Sequence, residues 1–363
     1  MKPEPFRAVT AGGPEPFRAA DVLLDVQDLH TTFRTDGGDV KAVDGVSFQI
    51  RRGEVFAVVG ESGSGKSVTA LTLMGLVPSP PAHIEADAIL WKGEDLLASG
   101  GERMRAARGK EIAMIFQDAL TALNPTHTIG RQIAEMARIH EGASRKAARK
   151  RAIEMLKLVG IPQPESRVDM HPHEFSGGMR QRAMIAMAIT CNPDLLIADE
   201  PTTALDVTVQ AQVLDVLMSI KDEIDSAIML ITHDLGVVAG LADRVMVMYA
   251  GRAVEVGTAR EIFYETRHPY TLSLLASLPR LDQEGDEPLV PIKGAPPSLV
   301  RLPSGCKFHP RCPFVQPLCV ETEPALRVVD GAAHSSACHY AEDLAGVDVD
   351  TIRRRGEPEP VQA

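Results

Sequence analysis

Short, wholly apolar runs recur through the middle of the chain and are separated by longer stretches of mixed character. The run Val55–Val59 contains no polar position, as is typical of a strand buried on both faces of a parallel sheet. Comparable runs are Ile112–Phe116, Leu195–Ala198, Ile228–Ile231 and Val245–Tyr249. Helical patterns such as Lys66–Leu76 and Val209–Ile224 lie between them. This alternation predicts an α/β fold with a mainly parallel core sheet.

Two regions depart from this alternation. Near the start, the short alternating segments Leu23–Leu29, Val40–Val43 and Val46–Ile50 predict an antiparallel edge sheet. The stretch from Ile129 to about Val168 has helical patterns throughout, so we expect an inserted helical subdomain at about residues 124–190.

Changes in composition define the remaining boundaries. Residues 1–20 are rich in proline and contain the segment Pro-Glu-Pro-Phe-Arg-Ala twice, which predicts a flexible leader. The main domain is expected at residues 21–278. Residues 279–340 are rich in Pro and Cys without clear periodicity and predict a small C-terminal module, and residues 341–363 are polar and predict a loose tail.

A phosphate-binding loop follows the first buried strand. Its sequence is Gly60-Glu61-Ser62-Gly63-Ser64-Gly65-Lys66-Ser67, and the strand before it and the helix after it are the setting that this motif requires. The glycines let backbone N–H groups approach phosphate oxygens, and the helix adds the positive end of its dipole. We expect Lys66 to contact the β- and γ-phosphates and the Ser67 hydroxyl to ligate Mg²⁺.

Two carboxylates follow a second buried strand, Leu195–Ala198. Open α/β sheets bind their ligands at the carboxyl ends of the strands. Asp199 is therefore expected to hold the Mg²⁺ shell, and Glu200 to polarise the attacking water as a general base.

The overall composition disfavours some classes of partner. The formal net charge of the 363 residues is −11, whereas a nucleic-acid-binding protein normally has a basic surface. No apolar run approaches the roughly 20 residues that a membrane-spanning helix needs, and the N-terminus has no apolar signal segment. We therefore expect a cytosolic chain without a nucleic-acid partner, whose membrane role would depend on other subunits.

A second anion site is predicted where Ser176, Gly177 and Gly178 precede the helical stretch Met179–Ile189, because the N-terminus of a helix exposes N–H groups. One nucleotide does not need two such sites on one chain. From about residue 22 to 277 the sequence resembles the ATP-binding cassettes of ABC transporters, whose signature loop serves the nucleotide held by the opposite subunit. The resemblance implies a P-loop NTPase fold with a RecA-like core sheet, an antiparallel β subdomain and a helical signature subdomain.

The same resemblance implies roles for further residues. Gln117 matches the Q-loop glutamine near the Mg²⁺ ion, Asp206 in Ala204-Leu205-Asp206 matches the D-loop, and His233 matches the switch histidine that contacts the γ-phosphate. Phe33 lies where the adenine-stacking aromatic residue is expected. Position 179 is Met where the signature usually has Gln, which is similar to the D-type subunit of oligopeptide and dipeptide permeases.

A chain of that type would be the motor of an importer at the cytoplasmic face of the membrane. It would pair with a second, non-identical cassette, and the two would sandwich two ATP molecules. Two transmembrane permease subunits would dock near Gln117 and the helical insert and convert closure into transport. An extracellular substrate-binding protein would act through the complex.

Several segments that the catalytic chemistry does not need also resemble peptide permeases. They are Phe116-Gln117-Asp118, Leu123-Asn124-Pro125-Thr126, His268-Pro269-Tyr270-Thr271 and Cys306-Lys307-Phe308-His309-Pro310-Arg311-Cys312-Pro313. The resemblance implies uptake of dipeptides or oligopeptides. Because the same tail occurs in relatives that serve nickel, glutathione or oligosaccharides, those substrates stay open as alternatives.

Four cysteines near the C-terminus, Cys306, Cys312, Cys319 and Cys338, have five, six and eighteen residues between them. In a reducing compartment such a cluster favours a metal site over disulfides, although the tight pair that usually begins a structural zinc site is missing. The spacing leaves zinc, an iron–sulfur cluster and free thiols open, and His309, His334 and His339 allow a mixed zinc site. Relatives with this tail hold a [4Fe–4S] cluster, which is what the resemblance implies here.

Two other function classes compete with an importer. A non-transport ABC ATPase acting on ribosomes or DNA is disfavoured by the single phosphate loop, the short insert and the acidic charge. A nucleotide-binding regulator without catalysis is disfavoured by Glu200 and His233.

Overall fold

The computed structural model describes residues 21–98, 100–203, 206–278, 291–330 and 334–356, so the predicted leader lies outside the described residues. The strands are β1 Val22–Thr35, β2 Gly38–Arg51, β3 Val55–Val59, β4 Ala82–Glu85, β5 Ala88–Trp91, β6 Glu94–Asp95, β7 Ile112–Ile115, β8 Leu195–Asp199, β9 Ala227–Thr232, β10 Arg244–Tyr249, β11 Arg252–Thr258, β12 Arg327–Asp330 and β13 His334–Ser336.

The α-helices are α1 Lys66–Leu73, α2 Glu102–Ala107, α3 Ala119–Ala122, α4 Ile129–Glu141, α5 Arg145–Leu158, α6 Pro164–Arg167, α7 Gly177–Ala188, α8 Val207–Ile224, α9 Leu235–Leu241, α10 Ala259–Tyr264, α11 Pro269–Ala276, α12 Pro317–Glu321 and α13 Val349–Gly356. Short 3₁₀ helices lie at Pro172–Glu174, His309–Arg311 and Glu342–Leu344.

The core sheet has the strand order β12-β13-β11-β10-β3-β9-β8-β7, in which the run from β10 to β7 is parallel. Every residue of β3 and β8 is buried, as expected for strands covered by helices on both faces. The predicted α/β fold with a parallel core is therefore confirmed. The neighbours β3, β9 and β8 bring the phosphate loop, His233 and the Asp199-Glu200 pair to the same edge of the sheet.

The antiparallel sheet is built on a long hairpin of two 14-residue strands, β1 and β2. The sequence predicts two separate segments on either side of Gly45, and this break is wrong. Gly45 has a φ of +78° and lies where the pairing register shifts, between Leu29 opposite Val46 and His30 opposite Asp44. The glycine is therefore accommodated as a β-bulge that bends one continuous strand.

Helices α4 to α7 fill the region predicted as a helical insert. Three of them begin at side-chain caps, since Thr128 Oγ1 accepts a hydrogen bond from the Arg131 N–H, Ser144 Oγ accepts one from the Ala147 N–H and Ser176 Oγ accepts one from the Met179 N–H. Helix α4 ends at Gly142, whose φ of +66° stops the helical run.

The described residues 291–356, here called the Cys-rich segment, continue the core sheet. Strand β13 pairs with β11, with Glu255 opposite Ser336. Phe308 is buried against Tyr249 and Tyr270, and the ring centroids are 5.3 Å apart in each pair. The segment therefore shares an aromatic core with the main domain.

The end of the described chain differs from the predicted loose tail. Helix α13 follows the 3₁₀ helix Glu342–Leu344, and Leu344 and Ile352 are buried against Leu272 and Ala276 of α11. These two apolar residues in a polar stretch supply the packing that the composition does not indicate. No helix in the described part of the chain is long and apolar enough to cross a bilayer.

We predict that Phe308→Ala lowers the free energy of unfolding of the full chain by about 3 to 5 kcal/mol, because it empties the aromatic core that joins the Cys-rich segment to β10 and α11. Urea denaturation measures this change. Leu318→Ala, an exposed apolar position of the same segment, is the control and should change the stability by less than about 0.5 kcal/mol. Equal effects of the two substitutions would contradict the shared core.

Candidate active site

The phosphate loop leaves β3 along a path that admits little more than backbone. A Cβ atom on Gly60 would lie 2.3 Å from the Met248 carbonyl oxygen, and one on Gly65 would lie 2.3 Å from the Ala42 carbonyl oxygen. Both glycines also have positive φ angles, of +153° and +104°. The loop thus packs closely between β2 and β10, and Lys66 lies at the start of α1.

Lys66 folds back over its own loop. Its Nζ donates hydrogen bonds to the carbonyl oxygens of Gly60 at 2.8 Å and Glu61 at 3.0 Å. Burial lowers the pKa of Lys66, while the nearby carboxylates of Glu200 and Asp199 act in the opposite direction. An anionic ligand in the loop would add to this stabilisation of the ammonium group.

Ser67 and Asp199 provide adjacent hard oxygen donors. Ser67 Oγ donates a hydrogen bond of 2.9 Å to Asp199 Oδ1, across the gap between α1 and the end of β8. Burial raises the pKa of Asp199, although the Ser67 hydrogen bond partly offsets this effect. Hydroxyl and carboxylate oxygens side by side fit the preference of Mg²⁺ for oxygen ligands, and a bound cation would favour the ionised carboxylate.

Glu200 is the point at which three loops meet. Its Oε2 accepts hydrogen bonds from Gln117 Nε2 at 3.1 Å and Thr203 Oγ1 at 2.8 Å, and its Oε1 lies 3.4 Å from His233 Nδ1. The residue has a φ of +44°, a left-handed conformation that costs about 1 to 3 kcal/mol and is concentrated at functional sites. Thr203 is a contact that the sequence reasoning missed, because no motif singles it out.

An open cavity of about 690 Å³ unites most of the predicted residues. Its lining includes Gly60, Ser62, Gly63, Gly65, Lys66, Ser67, Gln117, Glu200 and His233. Leu274 of α11 and Pro296 of the Cys-rich segment also line it, which the sequence does not predict. The cavity can hold an anion on the loop while Glu200 faces it from the C-terminal end of β8.

Seven of the residues predicted for the nucleotide and its Mg²⁺ are not among those that line this cavity, namely Phe33, Ser64, Ser176, Gly177, Gly178, Asp199 and Asp206. Ser176 caps α7 with its Oγ, which accepts a hydrogen bond from the Met179 N–H, and Asp206 caps α8 by accepting one from the Val209 N–H. Residues 204 and 205 of the predicted D-loop lie outside the described residues. Phe33 is half-buried on β1 opposite Val40.

The four clustered cysteines come from separate elements and line one cavity of about 250 Å³. Cys306 and Cys312 flank the 3₁₀ helix His309–Arg311, Cys319 lies on α12, and Cys338 follows β13. Burial raises the pKa of Cys312 and of Cys338 to about 12. A metal that binds there would have to displace thiol protons.

The neighbouring histidines have other partners. His309 Nδ1 lies 2.9 Å from the Cys306 carbonyl oxygen, His339 Nε2 lies 2.9 Å from the Thr322 carbonyl oxygen, and the buried His334 is paired with Glu255. Across the part of the chain that the structure describes, no three His, Cys, Asp or Glu side chains are close enough to hold one metal ion.

Two family models match the chain. Residues 43–203 match the family described as ABC transporter, and residues 254–319 match the one described as Oligopeptide/dipeptide transporter, C-terminal region. The first match contains the phosphate loop and the Asp199-Glu200 pair. The second contains the first three clustered cysteines.

Relatives cover most of the chain. It is 55% identical over 304 residues to the oligopeptide transport ATP-binding protein OppD of Bacillus subtilis, which covers 84% of this chain and 85% of the relative. It is 53% identical over 323 residues to the dipeptide transport ATP-binding protein DppD of the same species, with 89% and 96% covered. OppD of Salmonella typhimurium is 52% identical, with 84% and 90% covered.

Solved structures support the same fold. A bacterial ABC transporter cassette solved as a dimer has a TM-score of 0.58 at 25% identity and covers 66% of this chain and 99% of its own. The cbiO1 protein of Clostridium perfringens, part of an ABC transporter complex, has a TM-score of 0.56 at 28% identity, with 68% and 92% covered.

We predict that Lys66→Ala weakens binding of Mg·ADP to the full chain by about 10- to 100-fold, because it removes charge-assisted hydrogen bonds to phosphate. Isothermal titration calorimetry measures the change. Lys146→Ala, which removes an exposed lysine of α5, is the control and should leave the affinity unchanged. Unchanged affinity of Lys66→Ala would show that the nucleotide does not use this loop.

Proposed function

This chain belongs to the ABC transporter family, in the branch of oligopeptide and dipeptide transport ATP-binding proteins, and we propose that it is the ATP-hydrolysing motor of a peptide importer. The observation that carries the catalytic part is the Glu200 carboxylate, which faces the phosphate-loop cavity among Gln117, Thr203 and His233. The peptide part rests on relatives that are 52 to 55% identical over most of their length.

Each residue around the cavity has a separate role in the hydrolysis of ATP. The loop N–H groups and Lys66 bind the phosphates, and Glu200 accepts a hydrogen bond from the attacking water. The water oxygen bonds to the γ-phosphorus while the bond to the β-phosphate oxygen breaks, so ADP and inorganic phosphate leave. The water proton passes to Glu200 and then to phosphate or solvent. His233 stabilises the γ-phosphate through a hydrogen bond.

Ser67, Asp199 and Gln117 are the residues that would hold Mg²⁺. The ion supplies positive charge that offsets the charge developing on the phosphate oxygens. The 2.9 Å contact between Ser67 and Asp199 keeps two of the oxygen donors together before any ion binds.

A second cassette is needed to complete each nucleotide site. Ser176, Gly177 and Gly178 at the start of α7 are not among the residues lining the phosphate-loop cavity, so they are available to a nucleotide bound by a partner cassette. Met179 at the usual Gln position supports a partner that is not identical to this chain. Phe33 is proposed to stack on the adenine and Asp206 to contact the partner across the interface.

The proposed importer also contains membrane subunits and an extracellular binding protein. We propose that two permease subunits dock near Gln117 and the helical insert, that an extracellular protein delivers the peptide, and that this chain lies at the cytoplasmic face. ATP closes the pair of cassettes only through contacts that exist in the closed state, and loss of the γ-phosphate reopens it.

The four clustered cysteines are proposed to hold a [4Fe–4S] cluster with a structural role. Their convergence on one cavity supports a shared bound group. A single zinc ion needs all four sulfur atoms about 2.3 Å from one point, whereas a cluster holds its ligands farther apart.

The uptake experiment compares four versions of the chain in cells that also express its permease and binding-protein partners. The versions are the wild-type chain, Lys66→Ala, Glu200→Gln and a control. We predict that Lys66→Ala and Glu200→Gln both lose uptake of labelled dipeptides and oligopeptides. Glu200→Gln removes the general base and should slow hydrolysis by about 100- to 10,000-fold. Glu223→Gln, an exposed position on α8, is the control and should transport normally.

Labelled nickel, glutathione and an oligosaccharide are supplied in parallel. Uptake of one of these compounds instead of peptide would change the proposed substrate, whereas the proposed role as the ATP-hydrolysing subunit would stand. Turnover of ATP that responds to ribosomes or DNA rather than to the permease subunits would overturn the importer.

A second prediction concerns the metal. The full chain purified without oxygen should contain about four iron atoms and matching acid-labile sulfide, and Cys312→Ser should lose them. Cys191→Ser, which changes a cysteine outside the cavity, is the control. Zinc without sulfide would replace the cluster with a zinc site, and the absence of both would leave four free thiols.

A further inference from the structure

An ion pair joins the Cys-rich segment directly to the phosphate loop. Arg311 donates from Nη1 to Glu61 Oε2 at 2.6 Å and from Nη2 to Glu61 Oε1 at 3.0 Å. The two residues are 250 positions apart, and the Arg311 side chain is only 5% exposed. Two parallel hydrogen bonds between a guanidinium and a carboxylate make this a strong and directional contact.

The backbone that presents Arg311 belongs to the cysteine cavity. Arg311 ends the 3₁₀ helix His309–Arg311 and immediately precedes Cys312. Its Nε donates a 3.0 Å hydrogen bond to the Lys293 carbonyl oxygen, and its guanidinium carbon lies 5.9 Å from the ring centroids of Tyr249 and Phe308. The side chain is therefore fixed by both the segment and the main domain.

Glu61 is equally constrained on the side of the phosphate loop. Its N–H donates a 2.8 Å hydrogen bond to Tyr270 Oη, and its carbonyl oxygen accepts one from Lys66 Nζ at 3.0 Å. Glu61 also lines the cavity that the nucleotide would occupy. The position of the Glu61 backbone therefore helps to set the position of the Lys66 ammonium group, which is proposed to contact the phosphates.

The negative charge of Glu61 would oppose phosphate binding if Arg311 did not neutralise it. A carboxylate that lines a triphosphate site repels the ligand, since like charges in a partly desolvated site disfavour each other. Arg311 neutralises this carboxylate and holds it by both oxygens. Without Arg311, an unpaired negative charge would be left beside the phosphates and the loop would lose one of its tethers.

We propose that Arg311 is a positioning residue of the nucleotide site, through which the Cys-rich segment sets the affinity of the phosphate loop. This inference rests on the proposed function, because it assumes that the loop binds nucleotide. It assigns the segment a part in nucleotide binding in addition to its packing on the main domain.

The test measures the dissociation constant of Mg·ADP for the full chain by calorimetry, together with the melting temperature. Arg311→Gln should raise the dissociation constant about tenfold, which corresponds to about 1.4 kcal/mol. Arg311→Lys, which keeps the charge but loses the fork, should raise it by a smaller factor. The double variant Arg311→Gln with Glu61→Gln should bind more tightly than Arg311→Gln alone, because the unpaired carboxylate is gone.

The control is a second arginine fork in the same segment. Arg327 donates two hydrogen bonds to Glu342, the shorter at 2.5 Å, at an exposed site that is not part of the phosphate-loop cavity. Arg327→Gln should leave the dissociation constant unchanged. A purely structural role for Arg311 would lower the melting temperature without changing the affinity of the folded chain, and Glu61→Gln would then give no rescue.

Each remaining outcome has a distinct meaning. If Arg311→Gln does not fold, Arg311→Lys with and without Glu61→Gln gives the same comparison. Wild-type affinity in both Arg311 variants would overturn the inference while the proposed function stands. A wild-type chain that does not bind Mg·ADP would instead refute the proposed function.

Discussion

The nucleotide site depends first on one buried cation, the Lys66 ammonium group at the start of α1. Burial disfavours the charged form of Lys66, whereas the carboxylates of Glu200, Asp199 and Glu61 favour it. Charges removed from water are costly unless each has a partner, so a site that concentrates both signs is stable only when they compensate one another. Phosphates would complete the partners of Lys66, and a divalent cation would complete those of Asp199. The loop is thus organised for a nucleotide together with its metal ion.

The fold meets this constraint with contacts from distant parts of the chain. The parallel order β3-β9-β8 brings the phosphate loop, His233 and Glu200 to one edge of the sheet. On the other side, Tyr270 and Arg311 hold Glu61, and Arg311 belongs to the same short turn as two of the clustered cysteines. Arg311 therefore connects the loop of the nucleotide site to the turn that carries two of the clustered cysteines. This arrangement gives a physical reason for the Cys-rich segment to be attached to the cassette.

The local pattern of apolar and polar residues correctly predicts those elements whose hydrophobicity matches their burial in the fold. The buried strand Val55–Val59 coincides with β3, and the phosphate loop and the acidic pair lie where the alternation of strands and helices puts them. The break at Gly45 is mistaken because a glycine can form a bulge as well as a turn. The pairing of β13 with β11 and the contact between Arg311 and Glu61 are not predictable in this way, because they join residues far apart in sequence with no periodic signal.

The role of this chain as a peptide-driven ATPase is tested most directly by the release of phosphate from the complete transporter in proteoliposomes, with and without the peptide-loaded binding protein outside. We predict that peptide stimulates phosphate release by the wild-type complex and that Glu200→Gln abolishes both basal and stimulated release. Phosphate release that is indifferent to peptide and equal in the two complexes would contradict this role.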